Sequence, residues 1–209
     1  MQVKSEPQWL LWAREIQALS QTGLAFSQSV FDTQRFTRLM EIAAEIIARH
    51  TDLEKEPLLE TLLVQPGYAT PKVDIRGAVF NDGKILLVQE KSDGLWCLPG
   101  GWADIGEGPS HAVAREVREE SGFIVRPEKV VGVYDANRSG RPLELFHAVK
   151  IIFMCVITGG EATPSEETND VQFFDFEDLP PLSSNRTNED HLVEILAHYH
   201  DPARATWFE

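Results

Sequence analysis

The spacing of apolar residues changes once along this 209-residue chain, and that change divides it into two parts. Up to residue 65 the apolar residues recur every three or four positions, which predicts amphipathic helices, whereas after residue 70 they form the short runs typical of strands. A segment rich in Gly, Thr and Pro separates the two patterns, as expected of a linker. We therefore predict a small all-helical domain over residues 1–66, a linker over 67–72 and a second domain over 73–209.

The second domain has the pattern of a mixed sheet with helices. Its first two strands, VDIRGAVF and KILLVQEK, flank Asp82-Gly83, a dipeptide that favours a tight hairpin turn. Further strands are predicted over 125–134, 148–157 and 171–176, followed by a helix over 188–200. This order predicts an α/β (α+β) sandwich in which a mixed β-sheet lies between helices.

The composition limits the partners and the compartment of the protein. Acidic side chains outnumber basic ones by 33 to 19, giving a net charge of −14, which disfavours nucleic acid because its phosphates bind basic surfaces. The chain has two cysteines, too few for a disulfide framework, and it lacks an apolar stretch of the roughly 18 residues that a membrane span needs. We therefore predict a cytoplasmic protein with no membrane attachment.

Three glutamates lie close together in the segment GGWADIGEGPSHAVAREVREESGF, which covers residues 100–123. A helix turns by about 100° per residue, so Glu116, Glu119 and Glu120 fall within an arc of roughly 100°. Their charges repel one another, and a solvated helix face is the ordinary explanation of such a run. The preceding glycines favour a different explanation, a binding site, because they let the backbone turn sharply beside a ligand. Carboxylates are ligands that Mg²⁺ prefers, so the cluster is a candidate metal site.

The spacing of this segment matches a known signature. Gly101 is followed after five residues by Glu107 and, after seven more, by REVREESGF. The pattern resembles the signature of the Nudix hydrolases, with an aromatic Phe123 where the family more often has an aliphatic residue. The resemblance implies a Nudix sandwich fold. It also implies that water, activated by a divalent cation such as Mg²⁺ or Mn²⁺, cleaves the pyrophosphate of a nucleoside diphosphate linked to a further group X.

The resemblance also assigns roles to individual residues. The implied metal ligands are Glu116, Glu119, Glu120 and the carbonyl of Gly101. Arg115 is expected to orient a glutamate, Glu107, through a charge-assisted hydrogen bond. The general base varies within the family and lies either on the glutamate helix or on a later loop. On that loop Glu166 and Glu167 are the candidates, and we predict Glu167, although an acidic solvated loop explains the same residues.

A weaker resemblance covers nearly the whole chain. The helical start, the loop YDANRSGRP and the segment FFDFEDLPPLSSNRT are similar to the Nudix group with an N-terminal helical domain, which acts on compounds such as ADP-ribose and CDP-choline. Arg138 and Lys150 are candidate phosphate contacts, and Trp102 is a candidate surface for stacking a base. Arg186 is either a substrate contact or a surface residue. For Arg138, Lys150 and Trp102, an ordinary surface or core position is the alternative interpretation.

Some alternatives remain open at this point. The helical domain is small for the two apolar stripes it carries, so it must pack on its own catalytic domain or pair with a second copy, and we predict a homodimer. The protein could also be a ligand-binding sensor built on a Nudix domain, or a hydrolase acting on RNA 5′ ends. The intact glutamate pattern favours an enzyme over a sensor, and the lack of a basic track in the sequence disfavours RNA.

Overall fold

The computed structural model describes residues 7–136 and 146–209. These residues form two compact units that divide between Pro71 and Lys72, apart from residues 146–147, which belong to the first unit. None of the described helices is both long enough and apolar enough to cross a membrane. Arg138, a predicted phosphate contact, lies outside the described residues.

The first unit consists of three helices, as the apolar spacing predicts: α1 (Gln8–Phe26), α2 (Val30–His50) and α3 (Lys55–Leu63). The side chain of Ser29 accepts a hydrogen bond from the Asp32 amide and so caps the start of α2. Side chains from all three helices share one buried core, formed by Ala13, Met40, Ala44, Ile47, Leu58 and Leu62. A core of this kind is the main source of stability for helices of this length, because propensity alone leaves them marginal.

The second unit is built on a seven-stranded mixed sheet. Its strands are β1 (Lys72–Asn81), β2 (Lys84–Glu90), β3 (Trp96–Cys97), β4 (Phe123–Asp135), β5 (Ala148–Gly160), β6 (Thr168–Phe174) and β7 (Trp207–Phe208). The order is β3-β2-β1-β5-β4-β7, with β6 also paired to β2. β1 runs parallel to β5, and β7 runs parallel to β4, while the other pairs are antiparallel. The predicted mixed sheet is therefore confirmed.

The hairpin between β1 and β2 forms where the sequence predicts it. Phe80 pairs with Ile85, and the turn residues Asp82 and Gly83 have φ angles of 50° and 81°. Positive φ at both central residues defines the type I′ turn, whose twist matches that of the flanking strands.

Helices cover both faces of this sheet. α4 (Pro109–Ser121) packs Val113 and Val117 into one buried cluster, and α5 (Glu189–His200) packs Leu192 and Ile195 into a second cluster. α4 lies very close to β1, since a Cβ added at Gly77 would be only 2.5 Å from a methyl carbon of Val117. The predicted sandwich is confirmed, and the glutamate helix is fixed directly against the sheet.

Candidate active site

A glycine-containing segment runs beside β1 and brings the backbone close to α4. Ile75 donates its amide hydrogen to the Gly101 carbonyl at 2.8 Å, and Ala103 donates to Val73 at 2.9 Å. Gly100 has a φ of 142°, and a Cβ there would lie 2.0 Å from the Ile75 carbonyl oxygen. Only glycine fits this position, which directly precedes Gly101, the first residue of the signature.

The ends of α4 are fixed by residues with the conformations that helix termini require. Pro109 occupies the first turn, and Gly122 ends the helix with a φ of 78°. Between them the three glutamates differ in exposure. The Glu119 side chain is 58% exposed, that of Glu116 is 13% exposed, and Glu120 is 5% exposed. The helix therefore carries its carboxylates from the surface into the interior.

Arg115 lies among these carboxylates. Its Nη2 atom is 3.0 Å from Glu107 Oε2, and its Nε atom is 3.1 Å from the same oxygen. Its Nη1 atom is 3.0 Å from Glu116 Oε1 and 2.8 Å from Glu119 Oε2. The hydrogen bond to Glu107, with the other glutamates, raises the pKa of Arg115 above its ordinary value. The structure thus brings together the arginine and glutamate that the sequence pairs.

Burial controls the ionisation of the two inner glutamates. It raises the pKa of Glu120 to about 8, although the Arg76 guanidinium and the Gly100 amide, which donates a hydrogen bond at 2.8 Å, oppose that rise. Burial likewise raises the pKa of Glu116. A buried carboxylate with too little positive charge around it is one that an added cation would stabilise.

The donor set fits a divalent cation, although no cluster is preformed. Among residues 7–136 and 146–209, no three His, Cys, Asp or Glu side chains are already gathered around a metal position. Arg115 instead holds Glu116 and Glu119. All the candidate ligands are hard oxygen atoms, as Mg²⁺ requires, and the buried charge of Glu120 is poorly compensated. At Gly101 a Cβ would lie 3.3 Å from the Glu116 carboxylate oxygens, so this backbone comes close to the helix.

A buried ionic network is centred on Asp74 and Arg76 of β1, and neither residue was among those predicted from the sequence. Arg76 Nε is 2.9 Å from Asp74 Oδ1, and Lys150 Nζ is 3.1 Å from Asp74 Oδ2. Burial alone would lower the pKa of Arg76, but Asp74 and other acidic groups outweigh it and hold the pKa above its ordinary value. The sequence does contain a signal for this ion pair. Asp74 and Arg76 carry opposite charges two residues apart in an otherwise apolar strand, and residues at that spacing share one face of a sheet.

Lys150, predicted to contact phosphate, has a fully buried side chain. Besides Asp74, its ammonium donates to the backbone carbonyls of Asn185, at 3.0 Å, and Arg186. These contacts tie β5 to the loop before α5, so the structure supports a structural role for Lys150. The phosphate-contact interpretation assumed an accessible ammonium, which sequence alone could not test.

The Arg186 side chain is also engaged within the protein. Its Nε atom lies 3.3 Å from Glu90 Oε1, and its Nη1 atom lies 3.0 Å from Asp93 Oδ2. Of the two interpretations from the sequence, the structure therefore favours a residue that fastens the loop before α5 to the end of β2.

Trp102 follows the glycine pair and remains 49% exposed. Its backbone bridges to Asp74 on β1, and Lys72 Nζ lies 5.9 Å from the centre of its indole ring. Glu167 lies in an exposed loop that reaches α4, because the hydroxyl of the next residue, Thr168, donates to the Glu120 carbonyl at 2.9 Å. Both residues thus lie on segments that border the glutamate helix.

The similarity to known proteins covers both units. A family described as "UDP-X-like, N-terminal oligomerisation domain" matches residues 7–62, and the NUDIX domain matches residues 70–196. A Bacillus subtilis protein named "Putative ADP-ribose pyrophosphatase YjhB" is 38% identical over 207 residues, which cover 99% of this chain and 100% of that protein.

Solved structures show the same relationship. An ADP-ribose pyrophosphatase from Streptococcus suis is 38% identical with a TM-score of 0.61, covering 67% of this chain and all of that one. A UDP-X diphosphatase is 30% identical with a TM-score of 0.62, covering 96% of this chain and 98% of that one. The sequence pattern, the sandwich fold and these similarities agree: the chain belongs to the Nudix family and is a Nudix hydrolase.

Proposed function

We propose that this Nudix hydrolase cleaves the pyrophosphate of ADP-ribose in a reaction that depends on a divalent cation, Mg²⁺ or Mn²⁺. Water adds to one phosphorus atom, the bridging P–O bond breaks, and the products are AMP and ribose 5-phosphate. The observation that carries the proposal is the buried carboxylate of Glu120 beside the Gly100 amide, on a helix with two further carboxylates. The choice of ADP-ribose is supported by the names of the relatives that match the chain.

The proposed ligands of the cation are Glu116, Glu119, Glu120 and the Gly101 carbonyl. One lone pair of that carbonyl already accepts the Ile75 amide hydrogen, so the second is the one free for a cation. A bound cation would neutralise the charge that develops on the diphosphate and activate water for attack.

The remaining roles belong to the protein's own side chains. Arg115 holds Glu107 through two of its nitrogens, which keeps the segment before α4 folded against the helix. Glu167 is the proposed general base, which would take a proton from the attacking water. Its support is the attachment of its loop to the Glu120 carbonyl through Thr168.

Trp102 is the proposed contact for the nucleobase. An indole that is 49% exposed beside the glycine segment offers a face on which a base can stack. Stacking discriminates poorly between bases, so UDP-linked compounds and CDP-choline are secondary candidates. The match of the helical unit to a UDP-X-like family favours testing the UDP-linked compounds first.

We also propose that the protein is a cytoplasmic homodimer with domain boundaries at residues 66 and 73. The described thiols, Cys97 and Cys155, are free and buried, which suits a reducing compartment. The dimer is supported by the oligomerisation family that matches the helices and by large apolar side chains exposed on them.

The test is a panel of ADP-ribose, UDP-glucose, CDP-choline and NADH, each incubated with Mg²⁺ or Mn²⁺ while the products are separated by chromatography. We expect AMP and ribose 5-phosphate from ADP-ribose, loss of product with a chelator, and at least about a hundredfold lower kcat for Glu120→Gln. Glu128→Gln, at an exposed glutamate on β4, is the matched control and should be unchanged. Cleavage that persists in Glu120→Gln, or activity confined to another compound, would contradict the proposal.

A further inference from the structure

The loop that carries Glu166 and Glu167 is attached at two points to the end of the glutamate helix. The Thr163 amide donates to the Ser121 carbonyl at 2.9 Å, and the Thr168 hydroxyl donates to the Glu120 carbonyl at 2.9 Å. The last carbonyls of a helix have no partner within it, so the loop supplies donors that α4 lacks. These bonds fix the two ends of the loop but leave the backbone between them to be held by other groups.

Lys91, the residue after β2, holds that backbone from the other side. Its ammonium donates to the carbonyl oxygens of Ser165 at 3.0 Å and Glu166 at 2.8 Å. Its amide donates to the Glu167 carbonyl at 3.0 Å. One exposed side chain thus binds two successive carbonyls, while its own backbone binds the third.

The ammonium is well suited to this role. Immobilising a lysine side chain costs rotamer entropy, so a lysine left in solvent does not adopt one conformation. Two charge-assisted hydrogen bonds to converging carbonyls offset that cost. Within the loop, the Ser165 hydroxyl accepts the amide hydrogens of Glu167 at 3.0 Å and Thr168 at 3.2 Å, so the backbone around Glu167 is held on both sides.

We propose that Lys91 is a positioning residue for hydrolysis: it fixes the backbone of residues 165–167 so that the Glu167 carboxylate is presented to the glutamate helix as general base. The inference rests on the proposed function, because it assigns Lys91 to the support of that reaction. The hydrogen bonds that the described structure gives Lys91 all go to residues 165–167, so its proposed action is through Glu167.

The test compares Lys91→Met, which keeps the apolar stem and removes the donors, with Lys91→Arg, which restores a donor. Lys84→Met is the matched control, since Lys84 is an exposed lysine at the other end of β2 and pairs with Asp175. Hydrogen exchange of peptides covering residues 163–168 is measured first, because it needs no substrate. We expect about tenfold faster exchange in Lys91→Met and wild-type exchange in the other two variants.

Kinetics then test the link to the reaction. With ADP-ribose and saturating Mn²⁺, Lys91→Met should lower kcat about tenfold with KM within about twofold, and Lys91→Arg should recover at least half of kcat. In a Glu167→Gln background, Lys91→Met should lower kcat no further, because both changes remove the same positioned carboxylate.

The outcomes separate the two proposals. Unchanged exchange in Lys91→Met overturns the inference whatever the activity, and so does faster exchange with an unchanged kcat. If Lys91→Met lowers kcat further in the Glu167→Gln background, Lys91 has a structural role instead, and the inference is again overturned. If the wild-type protein cleaves none of the panel compounds, the proposed function fails, and the inference about Lys91 fails with it. That failure is distinguishable from a failure of the inference alone, because hydrogen exchange reports on the loop without any substrate.

Discussion

Arg115 Nη1 lies 2.8 Å from Glu119 Oε2, so the most exposed carboxylate of the glutamate helix is neutralised by the arginine four residues before it. The same nitrogen is 3.0 Å from Glu116 Oε1, while other nitrogens of the group bind Glu107. Arginine therefore supplies, within the protein alone, positive charge at carboxylates proposed to bind a cation. Loss of Arg115 should therefore lower the stability of the protein most when no metal is bound.

Arg115→Gln should destabilise the metal-free protein by about 1–3 kcal/mol, because the glutamates then repel one another without a neighbouring cation. Addition of Mn²⁺ should narrow the difference from wild type, since the metal replaces part of the lost charge. Thermal unfolding with a chelator and with Mn²⁺ measures both effects. Arg126→Gln, which removes an exposed pair with Glu128, is the control and should cost under about 0.5 kcal/mol. A deficit that Mn²⁺ leaves unchanged would show that Arg115 only supports the fold.

The raised pKa of Glu120 makes the stability of the metal-free protein depend on pH. Between the ordinary value of 4.5 and the folded value of about 8, the folded protein binds this proton more tightly than the unfolded chain does. Stability from this group is therefore fully present below about pH 4.5 and is lost as the pH rises through about 8. Glu120→Gln cannot lose the proton, so the variant should not show this loss.

Urea unfolding at pH 5.5 and pH 8.5 with a chelator measures the effect. Wild type should lose at least about 1 kcal/mol more than Glu120→Gln between the two conditions. Mn²⁺ should bind wild type more tightly at the higher pH, because it must displace the proton from the carboxylate. An equal change in the free energy of unfolding for the two proteins between these pH values would mean that Glu120 is ionised throughout this range.

Gly100 and Gly106 provide a test of the glycine segment. Both have positive φ angles, 142° and 89°, but an added Cβ at Gly100 meets the Ile75 carbonyl oxygen at 2.0 Å, whereas at Gly106 it meets nothing within 4 Å. Gly100→Ala should therefore cost more than about 3 kcal/mol or prevent folding, and Gly106→Ala about 1 kcal/mol. Urea unfolding followed by circular dichroism compares them. Similar losses would show that backbone strain, and not the contact with β1, explains Gly100.

Local sequence signals predicted the elements that local interactions specify. Asp82-Gly83 predicted the hairpin because its turn type depends on those two residues. The helical spacing of Glu116, Glu119 and Glu120 predicted a helix where the structure has α4. The short strands β3 and β7 were missed, since each has only two residues, too few to show an alternating pattern, and owes its strand geometry to pairing with β2 or β4.

The electrostatic part of the site could not be read in the same way. Lys150 looked like a phosphate contact because a cation stood in an acidic domain. Its carboxylate partner, Asp74, is 76 residues earlier, and β1 and β5 bring them together in parallel register. Nothing near Lys150 in the sequence indicates that pairing. The glutamates proposed as metal ligands share one helix and repeat at helical spacing, whereas the buried network depends on the strand order.

Asp74→Asn tests that network. Asp74 accepts from both Arg76 and Lys150, and its residue is only 6% exposed, so the neutral amide leaves two buried cations with too little negative charge. We expect a loss of about 3–5 kcal/mol in the free energy of unfolding. Asp32→Asn, which removes an exposed pair with Arg35, is the control and should cost under about 1 kcal/mol. Equal costs would show that the network adds little to stability.

The exposed face of α1 makes the dimer testable. Trp12, Leu19 and Phe26 are spaced seven residues apart and are 56%, 60% and 69% exposed, so they form one apolar stripe along the helix. An exposed apolar stripe of this kind marks an interaction surface, and the oligomerisation family that matches these helices favours a second copy as its partner.

Wild type should therefore have twice the mass of one chain by light scattering at micromolar concentration, and Leu19→Glu should have the mass of one chain with unchanged helical content. A charge in the middle of the stripe would have to be buried without a partner, which costs several kcal/mol and favours dissociation. Val193→Glu places the same charge at a 68% exposed apolar residue on α5 and should leave the dimer intact. A wild-type protein with the mass of one chain would contradict the dimer outright, whereas dissociation by Val193→Glu would place its interface on the catalytic unit instead.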